Sequence, residues 1–251
     1  MNDKSAALSK VPEITLGFWI IKILATTLGE TGGDALSMSA HLGYAVSTLI
    51  FATIFIAGVA AQIRTTGFRP ALYWTVIIAT TTVGTTMADF ADRSLGIGYI
   101  GGSLLLFTLL LLSLGAWGLS VGSVSVKNVA TPKVEAFYWV TILFSNTLGT
   151  ALGDFLADDG GLGYAGGAAV FAVALVLVAV AYYYTAVSRT LLFWVAFILT
   201  RPLGATVGDF LDKAHALGGL ALSRVSASLV ITLTIIICVA VIPQRAAPNP
   251  G

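Results

Sequence analysis

The sequence predicts an all-α integral membrane protein: eight transmembrane helices arranged as four parallel two-helix repeats, in two tandem halves, with both termini cytoplasmic. Three observations predict it. Of the 251 residues, 57% are hydrophobic and only 10% charged. An average soluble domain carries about 25% charge, so this chain cannot cover a globule with solvated side chains. A soluble enzyme, a disordered segment and a secreted disulfide scaffold are thereby excluded. Apolar runs of about 20 residues, the length that crosses a bilayer, occur eight times, and one motif recurs four times in register.

Each span follows from its residues. Span one, near 14–33, carries Lys22 and Glu30 in an otherwise apolar run. It lacks an A-x-A-like site and shares its motif with later spans, so it is expected to be a retained helix and not a cleavable signal. Span two, near 43–62, is apolar up to Arg64, and span three, near 71–88, ends beside Asp89. Span four, near 98–121, is leucine-rich, and span five, near 136–153, ends beside Asp154. Span six, near 163–186, stops before Arg189. Span seven, near 190–208, is interrupted by Arg201-Pro202, and span eight, near 218–242, contains Arg224 and the single cysteine, Cys238. The even spans contain no acid and read as a lipid-facing scaffold. The whole is expected to be one transmembrane domain, 1–251, with repeats near 14–65, 71–124, 136–187 and 190–242.

Basic residues set the expected orientation. Lys4, Lys10, Arg64, Arg69, Lys127, Lys133, Arg189 and Arg245, eight of 13 Lys and Arg, fall on one side, which the positive-inside rule makes cytoplasmic. The opposite side holds Glu30, Asp34, Asp89, Asp92, Asp154, Asp158, Asp159, Asp209 and Asp212, nine of the 12 acids. Acids contribute little to topology, so this bias is a functional clue. The net charge of +1 provides no field to recruit nucleic acid. The expected partners are the lipid bilayer and a small inorganic ion.

The repeat is gapless. Trp19, Trp74, Trp139 and Trp194 begin the copies; ten residues later come Gly29, Gly84, Gly149 and Gly204, and five further on Asp34, Asp89, Asp154 and Asp209. Copies three and four lie 120 residues beyond copies one and two, giving two tandem halves. Every copy starts on the basic side, so the repeats are parallel, unlike those of inverted-repeat transporters. This W-x9-G-x4-D hairpin, and TRPLGATVGDFLD of the fourth copy in particular, resembles bacterial membrane-anchored proteins built from a repeat of unknown function. The resemblance implies eight spans and a bacterial inner membrane. It supplies no activity.

Positions four apart share a helix face. Lys22, Thr26, Glu30 and Asp34 form such a stripe, matched by Ile77, Thr81, Thr85 and Asp89, by Ile142, Asn146, Thr150 and Asp154, and by Phe197, Arg201, Ala205 and Asp209. If the odd spans surround one axis, these stripes stack into four layers with the aspartates outermost. Gly29 with Gly33, Gly149 with Gly153, and Gly204 with Gly208 are GxxxG pairs, and Gly84 with Ala88 is the small-residue equivalent. Such pairs let helices approach closely in lipid. A carboxylate at a helix C-terminus opposes the macrodipole, so the four Asp are expected to bind a cation or line its mouth, against the alternative that they only mark the interface. Lys22, Glu30 and Arg201, costly in a bilayer, are expected to face inward, with Glu30 pairing to Arg201. Pro202 makes span seven the expected moving element. Asp158, Asp159, Asp212 and Lys213 are expected on solvated turns, the tryptophans at the interface, and His41 and His215 in loops without a metal role.

Oxygen ligands from Asp34, Asp89, Asp154, Asp209 and Glu30, with Thr26, Thr81, Thr85, Asn146 and Thr150 along the path, suit a hard or borderline divalent cation such as Mn²⁺. Lys22 and Arg201 oppose an open channel and favour coupled transport, with Glu30 exchanging protons. The metal would be substrate, and no cofactor is expected. Two alternatives stay open: an anionic-solute transporter using Arg201 and Lys22, and a membrane scaffold or sensor without transport. No HExxH, GxSxG or Cys–His pairing points to an enzyme.

Overall fold

A computed structural model describes residues 9–247; Lys4, one of the orienting residues, lies outside them. The described chain is helical: α1 (Leu16–Asp34), α2 (Gly43–Arg64), α3 (Pro70–Asp89), α4 (Tyr99–Val121), α5 (Pro132–Asp154), α6 (Gly163–Tyr184), α7 (Arg189–Asp212) and α8 (Arg224–Val241). Local chemistry sets several starts. The side chains of Thr15, Thr131, Ser188 and Ser223 accept from backbone amides of the first turns of α1, α5, α7 and α8, and Pro70 and Pro132 sit where a helix needs no amide donor. Helix α5 begins earlier than the apolar run suggested. Helix α8 begins later, because residues 218–222 fold back on the end of α7.

In the first three copies the helix does not stop at its aspartate. It continues in one wide, π-type turn: Ala35–Ser39, Phe90–Ser94 and Phe155–Asp159. The carboxylates of Asp34, Asp89 and Asp154 therefore lie within helical runs. The fourth copy departs from this pattern, since α7 ends at Asp212.

The odd helices close a ring, α1 on α3, α3 on α5, α5 on α7, and α7 back on α1. Each even helix then docks on the odd helix of the following copy: α2 on α3, α4 on α5, α6 on α7, and α8 on α1. The expected two-helix hairpin is thus a unit of sequence but not of packing. Each copy covers its neighbour, and the last covers the first. Both ends of the described chain meet on the basic side, where Pro12 pairs antiparallel with Ala246. Seven helices are long and apolar enough to cross a membrane. The exception is α1, whose hydropathy is lowered by Lys22 and Glu30.

The repeated spacing of small residues has a direct use in the ring. A Cβ on Gly29 would overlap Thr81, one on Gly149 would overlap Arg201, and one on Gly204 would overlap Thr26. One on Gly84 would come within 2.9 Å of the Asn146 backbone. Each copy's glycine thus receives the stripe residue of the next copy, four times around. Gly33, Gly153 and Gly208 repeat the contact one turn outward, against Thr85, Ala205 and Glu30.

The tryptophans are not interfacial anchors. Trp74, Trp139 and Trp194 are buried and Trp19 is half-buried. With Phe18, Phe193 and Phe197 they make edge-on and tilted ring contacts that fill the basic end of the bundle. Tyr73 and Tyr138 share a 2.7 Å hydrogen bond in this layer.

The glycine contacts predict a mutational asymmetry. Gly149→Ala is expected to lower stability by about 1–3 kcal/mol through overpacking. Gly115→Ala, in α4 with nothing within 4 Å, is expected to be neutral or stabilising through helix propensity. Thermal unfolding of the purified variants checks both.

Candidate functional site: a buried ion network on the axis

The axis is built from one nitrogen outward. Arg201, fully buried on α7, directs Nη2 to Glu30 Oε2 on α1 at 3.1 Å and to Thr150 Oγ1 on α5 at 2.5 Å. The same nitrogen reaches Thr85 Oγ1 on α3 at 2.5 Å and the Thr81 carbonyl at 3.5 Å. One group therefore touches all three other central helices. The remaining Arg201 donors, Nε and Nη1, make no hydrogen bond within the protein.

The threonines of the stripe are committed to the helices. Thr26 Oγ1 donates to the Thr200 carbonyl at 3.1 Å, Thr81 Oγ1 to the Ala25 carbonyl at 3.2 Å, and Thr85 Oγ1 to the Gly29 carbonyl at 3.1 Å. Beneath Arg201, Lys22 Nζ lies 3.5 Å from Asn146 Oδ1 and 4.2 Å from the centre of the Phe197 ring. No described carboxylate lies within ion-pair distance of it, and Asn146 Nδ2 is also without a partner.

The four aspartates form no open mouth. Asp34, Asp89, Asp154 and Asp209 are between 0 and 3% exposed. Two basic residues stand between them. Arg93 Nε lies 2.9 Å from Asp89 and Arg93 Nη2 3.4 Å from Asp154. Lys213 Nζ lies 2.6 Å from Asp34 and 2.9 Å from Asp209. Arg224 completes the cluster, with Nε 3.3 Å from Asp212 and 3.6 Å from Asp34. Arg224 thus pairs with Asp212 and Asp34. Asp212 and Lys213 are buried and not on a solvated turn, whereas Asp158 and Asp159 are exposed as expected. Burial opposes the Lys213 ammonium, but Asp209, Asp34 and Asp212 outweigh it and push its pKa above the usual lysine value. It is a cation at neutral pH.

Around Asp34, six buried carboxylates (Glu30, Asp34, Asp89, Asp154, Asp209 and Asp212) face four cations (Arg93, Arg201, Lys213 and Arg224). The oxygens Asp34 Oδ1 and Asp212 Oδ1 make neither a hydrogen bond nor an ion pair within the protein. One oxygen from each of Asp34, Asp209 and Asp212 lies within 4.8 Å of the others, and Glu30, Asp34 and Asp89 form a second such triplet. No histidine belongs to these groups among the described residues. Such a cluster of carboxylate oxygens, two of them unpartnered, has a donor set that could hold a cation. Carboxylate oxygens suit hard or borderline metals.

Arg93, Lys213 and Asp212 are functional candidates that reading the motif alone passed over. Their signal is the half-chain period: Asp89-Phe-Ala-Asp92-Arg93 and Asp209-Phe-Leu-Asp212-Lys213 lie 120 residues apart, each with a cation four residues after the axial aspartate. Two grooves, of about 270 and 190 Å³, lie outside the ring and contain none of the axial carboxylates.

Fourfold internal repetition, a ring of helices apolar on the outside and a charged interior together define a multi-helix membrane protein built from tandem repeats. The family model of the Repeat of Unknown Function (DUF347) matches residues 17–68, 72–122, 137–188 and 192–242, and the chain belongs to that family. No curated protein and no solved structure matches it.

The Arg201–Glu30 pair makes a quantitative prediction. Arg201→Met strands a buried carboxylate and is expected to cost about 3–5 kcal/mol. Arg201→Met with Glu30→Gln is expected to regain a substantial part of that loss. Denaturation of both variants and of Glu30→Gln alone closes the cycle.

Proposed function

We propose that the protein is a transporter for a divalent metal cation, with Mn²⁺ the expected cargo, in a bacterial inner membrane. In this reading all eight helices cross the bilayer and both termini are cytoplasmic. The observation that carries it is the buried group of carboxylates around Asp34, in which Asp34 Oδ1 and Asp212 Oδ1 have no donor. A group of ions is expensive to bury, since each costs several kcal/mol of desolvation. With all six carboxylates ionised, two negative charges are in excess of the four cations, and a divalent cation would remove that excess.

Transport, as opposed to storage of an ion, is supported by the two ends of the axis. The carboxylate cluster lies toward the acidic end, while the basic end is packed with aromatic rings. Arg201 fills the axis between them. Cargo passing through requires Arg201 to release Thr85 and Thr150, and Pro202 beside it removes one backbone amide donor from α7. Glu30, relieved of Arg201 in such a state, is the group that would exchange protons. No catalysis is assigned to the chain, and no cofactor beyond the transported ion.

A second reading rests on a separate observation. Lys22, Asn146 Nδ2, Arg201 Nε and Arg201 Nη1 are fully buried donors with little or no acceptor, which favours an anionic solute held one layer deeper.

Thermal unfolding of the detergent-purified protein in Mn²⁺, Ca²⁺, Mg²⁺, Zn²⁺ and Co²⁺ tests the first reading. A ligand at about 100 times its dissociation constant adds roughly 2.7 kcal/mol to the native state. Selective stabilisation by Mn²⁺ is expected, with its loss when Asp34, Asp89, Asp154 and Asp209 are all changed to Asn. An identical response of both proteins to every ion would overturn the cation reading. Mn²⁺ flux into proteoliposomes is expected to vanish in Glu30→Gln, and full flux in that variant would remove Glu30 from the coupling.

A further inference from the structure

The two cations between the aspartates occupy equivalent positions in the tandem halves, yet they are held differently. Arg93 lies on the helical continuation of α3, Phe90–Ser94. Its guanidinium bridges Asp89 and Asp154 through two different nitrogens. A guanidinium is permanently charged, and its planar fork suits a paired-carboxylate site. Lys213 follows the last residue of α7, with extended backbone at φ −70° and ψ 153°. The chain beyond it folds back, so that Leu220 N donates to the Phe210 carbonyl, Leu222 N to the Leu211 carbonyl and Ala221 N to the Lys213 carbonyl. This clip fixes the backbone of Lys213 and leaves its four-carbon stem to place a single ammonium.

That ammonium stands among Asp34, Asp209 and Asp212, one of the two triplets whose oxygens approach each other within 4.8 Å. The same triplet holds the unpartnered oxygens Asp34 Oδ1 and Asp212 Oδ1, both buried. Arg93 bridges Asp89 and Asp154, and the other triplet, Glu30, Asp34 and Asp89, is held by two guanidiniums, Arg201 on Glu30 and Arg93 on Asp89. The two halves therefore offer one pair bridged by a guanidinium and one triplet in which Lys213 holds Asp34 and Asp209 while Arg224 reaches Asp212 and Asp34 from its edge, which leaves the Lys213 ammonium as the displaceable point charge.

We propose that Asp34, Asp209 and Asp212 form the single cation-exchange site of the chain and that Lys213 is a tethered competitor of the cargo, its ammonium leaving the triplet when a divalent cation enters. The inference rests on the cation reading above and adds to it which carboxylates bind, how many ions, and what holds the site in the absence of cargo. No bond is made or broken in the exchange. An ammonium with one charge withdraws and an ion with two charges takes its oxygens, which lowers the carboxylate surplus by one. A site available only when Lys213 has withdrawn shows an affinity reduced by the fraction of time it is free.

Mn²⁺ titration of the detergent-purified full chain, by calorimetry, tests this. Lys213→Met is expected to bind one Mn²⁺ per chain at least tenfold more tightly than wild type, and adding Asp212→Asn to that variant is expected to abolish the gain. Lys213→Arg keeps the charge in place and, as a bidentate group, is expected to bind Mn²⁺ at least threefold more weakly than wild type. Binding by wild type with no gain in Lys213→Met overturns the tethered competitor and leaves the cation reading standing. Absence of binding in both overturns both. If Lys213→Met does not fold, tighter or unchanged binding by Lys213→Arg overturns the inference by itself.

Discussion

The central ring depends on one nitrogen. Arg201 Nη2 holds acceptors from α1, α3 and α5 while its own backbone belongs to α7, so the relative height and rotation of all four helices are tied to a single buried group. Lipid offers no hydrophobic force to bring such helices together. Close packing over glycine and hydrogen bonds between helices must do it, and both are found at the same level. The aliphatic stem of Arg201 lies over Gly149. Thr26 and Thr81, its counterparts in the first and second copies, lie over Gly204 and Gly29 and donate to carbonyls of the neighbouring helices. Scaffold and charge network are therefore one construction.

Interlocking completes it. A hairpin whose second helix covered its own first helix would leave four separable units around the axis. Here α2 covers α3, α4 covers α5, α6 covers α7 and α8 returns to α1. The even helices expose apolar faces outward and need no internal polar contact to stay in place. Closure between the last copy and the first is reinforced at the basic end, where Glu13 N donates to the Arg245 carbonyl and Ala247 N to the Val11 carbonyl, both at near 3 Å (2.8 and 2.9 Å).

Much of this was legible in the amino-acid sequence, for a specific reason. A motif repeated four times marks which face of each odd helix looks inward, because lipid-facing positions need only be apolar while axial positions need a particular residue. The stripe from Lys22 to Asp34 and the ring glycines follow from that. The docking of even helices was not legible, since α2, α4 and α6 are apolar nearly all round and have no face to read. The tryptophans misled because aromatic residues at span ends are enriched at membrane interfaces, and nothing in W-x9-G distinguishes an anchor from a plug. Asp212 and Lys213 misled because adjacent opposite charges beside a glycine-rich loop ordinarily face solvent. Only the 120-residue period, which places Lys213 and Arg93 in the same position, carried their role.

The departure from fourfold symmetry is where the chemistry concentrates. Four identical copies would place four aspartates in a ring with no counter-charge, and four carboxylates sharing so small a volume without cations could not all be ionised. The copies diverge to solve this. Copies two and four supply Arg93 and Lys213 at the outer level, copy four supplies Arg201 one level deeper, and copy one supplies Glu30 as its partner. Twofold repetition at the outer level is itself broken, because α7 ends at Asp212 whereas the helical run after α3 continues past the equivalent Asp92 to Ser94, taking in Arg93. The break moves one cation from a helix to a clipped loop and brings a third carboxylate to its side. A scaffold that only needed to be stable could neutralise the two halves alike. Unequal neutralisation sets a bridging guanidinium on a helix in one half against a single ammonium on a clipped loop in the other, the asymmetry on which the proposed exchange at Lys213 rests.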